Sequence, residues 1–298
     1  MEITYVGYPE NLTLPFFTYG NFKPGQLAYH RIKKYVKGEP SAEIIKHEMC
    51  YRDGFALIDE KENENFKTTG YLIEFTNPQI AYKRIAKSWP ENLYEWKVIN
   101  VNGKDANALV GVDKDFGSFD NRDYIISTYN YRHDSFFNEA LELIEGILDE
   151  FEDGEIKNME DFFKFQMHYM LLWSVIERFC TLSYGYFGIG SNKFNFAKQK
   201  AFKNELKTNV TREDKIYSSD KLEDKNLDPK SYEESIKYYY TIRCNVVHKG
   251  KAVKSEDMNK LKDSLEELYG LFMVVYNDKL MENDKILEKY PEKRLNRN

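Results

Sequence analysis

Between about residues 113 and 133 the hydrophobic period of this chain changes, and that change constrains its fold more than any other feature. Before it, apolar residues come in short runs, "LPFFTYG", "GFALID", "TTGYLIEF" and "EWKVINV", separated by Gly and Pro. Runs of this length are strand-like and their punctuation is that of turns. "QIAYKRIAKSW", between two of them, has the spacing of a short helix. Strands with isolated helices predict an α+β domain. After the change, "FFNEALELIEGILDEFE" alternates apolar and acidic faces at helical spacing. "MEDFFKFQMHYMLLWSVIERFCTL" is apolar round most of its circumference, as expected of the central helix of a bundle.

A chain of 298 residues exceeds the size one core usually serves. The boundaries read from the pattern are an α+β domain over 1–115, a linker or docking arm over 116–133, and an all-α helical domain over 134–298. Within the latter, "LDPKSYEES" opens another helix, with Asp228 as its cap and Pro229 in its first turn. This helix carries Tyr232, Ile236, Tyr239 and Val246 inward and stops near Gly250. Met258, Leu261, Leu265, Leu268, Phe272 and Val275 form a packing stripe further on. The charged tail from about residue 284 is expected to fray.

The net charge of −6 is unevenly spread. Residues 113–157 hold 4 basic against 13 acidic side chains, and residues 158–298 hold 25 against 22, so the helical part is mildly basic by itself. The three cysteines, Cys50, Cys180 and Cys244, are far apart and odd in number, against a disulfide framework or a Cys-based zinc site. The five histidines lack metal-binding spacing. No metal or cofactor is expected. No run reaches the roughly 18 apolar residues of a membrane span, and the first residues lack the pattern of an export signal. A cytoplasmic protein without a membrane partner is the expectation.

The stretch "TIRCNVVHKGK", residues 241–251, carries the main chemical signal. Histidine exchanges a proton near neutral pH, and arginine presents a permanently charged fork that suits phosphate oxygens. Together they suffice for RNA cleavage without metal. A base helps the ribose 2′-hydroxyl attack phosphorus, a cation steadies the phosphoryl oxygens, and the leaving 5′-oxygen takes a proton. His248 and Arg243 are of the right types. Five residues of ideal helix turn through about 500°, which sets the two side chains about 140° apart. Either the helix tightens or ends between Val246 and Gly250, or a second subunit completes the site. Asn245 and His248 differ by about 60°, so Asn245 is placed to orient the imidazole. For the pair taken alone, two cations favoured by the dipole at a helix C-terminus is the simpler account.

"YYYTIRCNVVHKGK" resembles the R-x4-H signature of the HEPN superfamily, in particular its ApeA-like branch, and "LLWSVIERFC" is similar to the Trp- and Glu-bearing helix upstream of it. The likeness covers about residues 134–283. It implies a helical bundle that dimerises and acts as a metal-independent ribonuclease in toxin or antiphage systems, with Arg243 and His248 catalytic and a 2′,3′-cyclic phosphate product. Cys244 stands where active members usually carry a polar residue, and Asn245 follows one step later. Glu177, in an apolar setting on the Trp173 helix, would want Arg243 or His248 as a cationic partner; an exposed carboxylate beside Arg178 is the alternative. "NKFNFAKQKAFKNELK" offers Lys198, Lys200 and Lys203 for phosphates, with Phe194, Phe196 and Phe202 interleaved for bases. A solvated amphipathic helix has the same composition. Lys249 and Lys251 add charge beyond His248. RNA and a second copy of the chain are thus the expected partners.

In the first domain "PFFTYGNFKPGQLAYHR" sets Tyr19, Gly20, Pro24 and Gly25 in a tight loop after a strand. Such a loop can aim backbone N–H groups at an anion, or can be a turn that needs glycine. With "TTGYLIEF" and "ENLYEWKVINV" it resembles the γ-glutamyl cyclotransferase-like family, which includes AIG2-like proteins, over roughly residues 12–112. The resemblance implies a small β-barrel with helices, a ligand loop containing Tyr19, Gly20 and Gln26, and Glu91 as the acid and base that closes a γ-glutamyl group to 5-oxoproline. Asn92 and Trp96 replace the family's Gly and Arg. A sensor or regulator triggered by a small molecule or protein is therefore expected in place of turnover. A cyclotransferase dimerised by the helical domain, or a HEPN module that only binds, are the alternatives.

Overall fold

The computed structural model describes residues 4–52, 54–112, 124–151, 156, 158–186, 188–218, 222–249 and 255–293; at 124, 248–249 and 255–258 it describes the backbone alone. Two compact units emerge. The first comprises Met1–Tyr131, Leu182–Phe187 and Met281–Asn298, and the second Arg132–Thr181 and Gly188–Leu280.

The first unit is α+β. Strands β1 (Phe16–Thr18), β2 (Ser41–Ile45), β5 (Thr68–Ile73), β6 (Tyr94–Val101) and β7 (Lys104–Gly111) form a sheet in the order β2-β5-β1-β7-β6. Only the β1 to β7 pairing is parallel among them. Strands β3 (His47–Arg52), β4 (Phe55–Glu62) and β8 (Tyr124–Ile126) make a second sheet in the order β4-β3-β8. Helix α1 (Pro78–Ala86) starts as its sequence dictates: Asn77 Oδ1 accepts from the Ile80 amide, and Pro sits in the first turn, where its missing N–H costs nothing. Tyr82 of α1 packs edge to face with Phe16, Phe75 and Trp96, while Phe16 and Phe75 lie stacked. Gly70 is required where β5 crosses Phe17, because a Cβ there would lie 2.4 Å from the Phe17 ring.

The last described residues also belong to this unit. Tyr71 donates to the Tyr290 carbonyl at 2.8 Å, and Lys23, which has no exposed side-chain surface, pairs with Glu292 at 2.5 Å. Burial pushes the Lys23 amine below its ordinary pKa, and the Glu292 carboxylate opposes that shift. The tail therefore does not fray at 284: its helix continues to Lys289 because Leu287 has Gly25 to pack against.

The second unit is a helical bundle: α2 (Ser135–Glu150), α3 (Met159–Tyr184), α4 (Ile189–Ala197), α5 (Lys200–Asn209), α6 (Tyr232–Lys249) and α7 (Ser255–Lys289), the ends of α3 and α7 being counted with the first unit. Asp134 caps α2 through the Phe136 amide and also takes Arg178 of α3 at 2.8 Å. Trp173, Val175, Ile176 and Phe179 of α3 are wholly buried, as the continuous apolar run predicts. The stripe of α7 packs inward at Leu261, Leu265, Leu268, Phe272 and Val275. A β-hairpin, β9 (Asp214–Ser218) with β10 (Glu223–Leu227), interrupts the helices. Helix α6 begins at Tyr232, and its cap is Ser231, whose Oγ accepts from the Glu234 amide. Asp228 instead accepts from Lys230 in the preceding turn, which corrects the expected cap. Ile236 and Tyr239 are buried as expected, while Tyr232 and Val246 are only half-buried.

The α+β class of the N-terminal part and the helical class of the C-terminal part agree with the pattern read from sequence. Of the stretch 116–133, residues 116–123 lie outside the described residues; beyond them β8 pairs with β3, and Tyr129 and Tyr131 are buried.

Candidate functional site

Helix α6 remains α-helical past position 248 to Lys249, so the backbone neither tightens nor ends between Arg243 and His248. The two positions therefore lie about 140° apart round the helix. Within one chain they present different faces.

Arg243 faces α3. Its Nη2 lies 3.3 Å from Glu177 Oε1, and the guanidinium sits 5.6 Å from the centre of the Tyr240 ring. Tyr240, three residues earlier on the same face, stands edge-on to the buried Trp173 at 5.4 Å. Lys193 of α4 covers the same ring at 3.9 Å, is itself buried, and donates to the Gly190 carbonyl. Two cations thus share one aromatic ring, a favourable use of its negative face. Half-burial raises the Glu177 pKa above the ordinary carboxylate value, and the Arg243 charge opposes that rise. Glu177 has Arg243 as its partner, while the neighbouring Arg178 is taken by Asp134.

Asn245 is buried on another side of α6, and its Nδ2 donates to the Tyr217 carbonyl of β9 at 2.9 Å. The side chains of His248 and Lys249, and Lys251 and Gly250 entirely, lie outside the described residues. Lys198, Lys200 and Lys203 are exposed, with Lys203 over the Tyr232 ring at 4.3 Å. Two of the three interleaved aromatics are not available to bases: Phe196 and Phe202 are fully buried and pack on each other at 5.2 Å, while Phe194 is half-buried, because the segment folds into two short amphipathic helices. Tyr240 and Lys193 were not assigned to the Arg243 site from sequence. The i, i+3 spacing of Tyr240 and Arg243 was the available signal; nothing in sequence placed α4 beside it.

In the first unit the Tyr19 hydroxyl donates to the Leu109 carbonyl at 2.6 Å, and burial drives its pKa far up. The loop closes on itself through Lys23 N to Gly20 O, Gln26 N to Lys23 O and Ala28 N to Asn21 O, with Gly25 at φ +79°. Gln26 Oε1 accepts from the Tyr131 amide, and its buried Nε2 has no hydrogen-bond partner among the described residues. Beside Tyr19 and Gly20 lies a cavity of about 30 Å³, walled by Phe55, Trp89 and Tyr94. That is room for about one water. Glu91 is exposed and lines a separate open concavity with Tyr8, Glu10 and Glu95, on the other side of Tyr94. The fold thus gathers Tyr19 and Gly20 but leaves Glu91 apart from them.

Among the described residues no group of three His, Cys, Asp or Glu is arranged to hold a metal ion, and no helix is long and apolar enough to cross a membrane. No protein-family model, curated protein or solved structure matches this chain.

Proposed function

We propose that the chain is a metal-independent endoribonuclease of HEPN type that works as a homodimer through its helical part, with the N-terminal domain as sensor or regulator, in a toxin or antiphage setting. The observation that carries this reading is the environment of Arg243. A guanidinium on α6 is braced by Glu177 and Tyr240 and backed by Lys193, about 1.4 helical turns before a histidine on an unbroken helix.

In the reaction, His248 accepts the proton of a ribose 2′-hydroxyl as that oxygen bonds to the adjacent phosphorus. The bond from phosphorus to the 5′-oxygen breaks, and this oxygen leaves with the proton returned by the imidazolium just formed. Arg243 donates to the non-bridging oxygens, where charge grows in the transition state. The products are a 2′,3′-cyclic phosphate and a 5′-hydroxyl. Glu177 positions the guanidinium, and the exposed Lys198, Lys200 and Lys203, with Lys249 and Lys251, supply cations for the RNA backbone. The 140° divergence within one chain supports a site completed between subunits.

The exposure of Glu91, in a concavity apart from Tyr19 and Gly20, counts against cyclotransferase turnover in the N-terminal domain. The test is incubation of the full chain with total RNA in EDTA. Wild type is expected to yield cyclic-phosphate ends, and Arg243→Ala and His248→Ala to lose cleavage while keeping their circular dichroism. Undiminished cleavage by a folded His248→Ala protein would refute the assignment.

A further inference from the structure

Beside the candidate nuclease helix lies a cavity of about 120 Å³ in the second unit. Phe162 of α3, Ile216 of β9, Ile242 and Val246 of α6 and Leu261 of α7 make it mainly apolar. Phe162, Ile242 and Leu261 are buried. Three further groups are polar or amphipathic: the Asn245 side chain, Tyr217 and Lys260. Tyr217 is 46% exposed, and Lys260 is held by Asp214 at 3.0 Å and by the Lys215 carbonyl.

Apolar walls with a few placed polar groups are the usual make-up of a small-molecule site. The volume is a little below that of the roughly 150 Å³ apolar cavity known to take a benzene ring, so it matches one six-membered ring and not a fused pair. Water is a poor occupant because most of the lining offers it no hydrogen bond. Asn245 precedes position 248 of the helix by three residues, an axial rise of about 4.5 Å along the backbone. On the ribonuclease reading, the six-membered ring that such a space fits is a nucleobase.

We propose that this cavity is a pyrimidine-binding subsite that seats the base flanking the cleaved phosphate, with Asn245 at the base edge, Tyr217 against its face and Lys260 near its phosphate. The placement beside the scissile bond rests on the ribonuclease reading; the binding of a pyrimidine does not. The hairpin β9–β10 is then the specificity element, inserted into the bundle to wall the subsite.

The experiment titrates UMP, CMP, AMP and GMP into the full chain by NMR or calorimetry and maps cleavage ends on a mixed-sequence RNA. It compares wild type with Ile216→Trp, which fills the cavity, and Tyr217→Ala, which removes an exposed ring and should leave the fold intact. Wild type should bind UMP and CMP about tenfold or more tighter than the purine nucleotides, a preference lost in both variants. Pyrimidine binding without any RNA cleavage sustains the subsite while the nuclease assignment falls. Cleavage by wild type with no pyrimidine preference in either binding or ends overturns the subsite and leaves the nuclease intact. Equal binding of all four nucleotides, or a preference unchanged in both folded variants, also overturns it.

Discussion

Removing the Arg212 side chain should cost the helical unit more than any other single truncation of a polar residue in it. Arg212 forks onto Glu267 through Nε at 2.7 Å and Nη2 at 2.9 Å, bonds Asp214 through Nη1 at 2.9 Å, and reaches Ser264 Oγ at 3.1 Å. Tyr238 donates to Asp214, and Tyr239 donates to Glu267. Although burial works against it, hydrogen bonding to Glu267 holds the guanidinium pKa above its ordinary value. The arginine ties β9, through Asp214, to α7, through Glu267 and Ser264. Arg212→Ala leaves the largely buried Glu267 without its counter-charge and takes one of two cations from Asp214, which keeps Lys260 at 3.0 Å. Breaking a fully buried pair costs about 3–5 kcal/mol. The network keeps some solvent contact, with side-chain exposures of 24%, 18% and 16% for Arg212, Asp214 and Glu267, so about 2–3 kcal/mol is expected here. For a unit of this size that lowers Tm by about 5–10 °C. Thermal unfolding by circular dichroism measures it, and a cycle with Glu267→Ala should give a coupling above about 1 kcal/mol. A loss under about 0.5 kcal/mol would mean that the network is incidental and that the hairpin is held by something else.

Other perturbations act elsewhere in the molecule. Gly70→Ala forces a Cβ against the Phe17 ring and the Thr18 carbonyl, and should cost about 2–3 kcal/mol in denaturant unfolding. Glu292→Ala strands the buried Lys23 ammonium and should destabilise the first unit by about 3 kcal/mol, most of it recovered in Lys23→Met/Glu292→Ala; no recovery would contradict the pairing. Asp214 has a lowered pKa: burial alone would raise it, but Lys260, the Lys215 amide and Tyr238 outweigh that. Its contribution is therefore present above its unfolded value of 3.8 and fades as pH falls through the lower folded value. The Tm gap between wild type and Asp214→Asn should be constant near neutral pH and close in acid.

The switch from short alternating runs to three-and-four spacing marked the two fold classes because each reflects which face of an element meets a core. The strand β5 and the helices α2, α3 and α7 were legible for that reason. The hairpin β9–β10 was not: "DKIYS" and "EDKNL" have almost no apolar content, and they hold together through backbone pairing and the Arg212 network. The tail looked solvated because its charges dominate, yet Leu287 and Glu292 had tertiary partners, at Gly25 and Lys23, that no local pattern announces. The divergence of Arg243 and His248 followed from helical geometry alone, and the unbroken α6 keeps it. What surrounds Arg243 depended on α3 and α4 packing against α6, which lies beyond local sequence. In α4 and α5, Phe196 and Phe202 serve the core, as aromatic residues at helical spacing on an amphipathic helix do.

The central claim is that the guanidinium and the imidazole meet across two subunits. Its most direct measurement mixes two inactive proteins, Arg243→Ala and His248→Ala, after unfolding and refolding them together, and assays RNA cleavage in EDTA. A shared site regains an intact Arg and His pair in the mixed dimer, so about a quarter of wild-type activity should return. Activity that stays at the level of either variant alone, in a preparation shown to contain mixed dimers, would contradict the account.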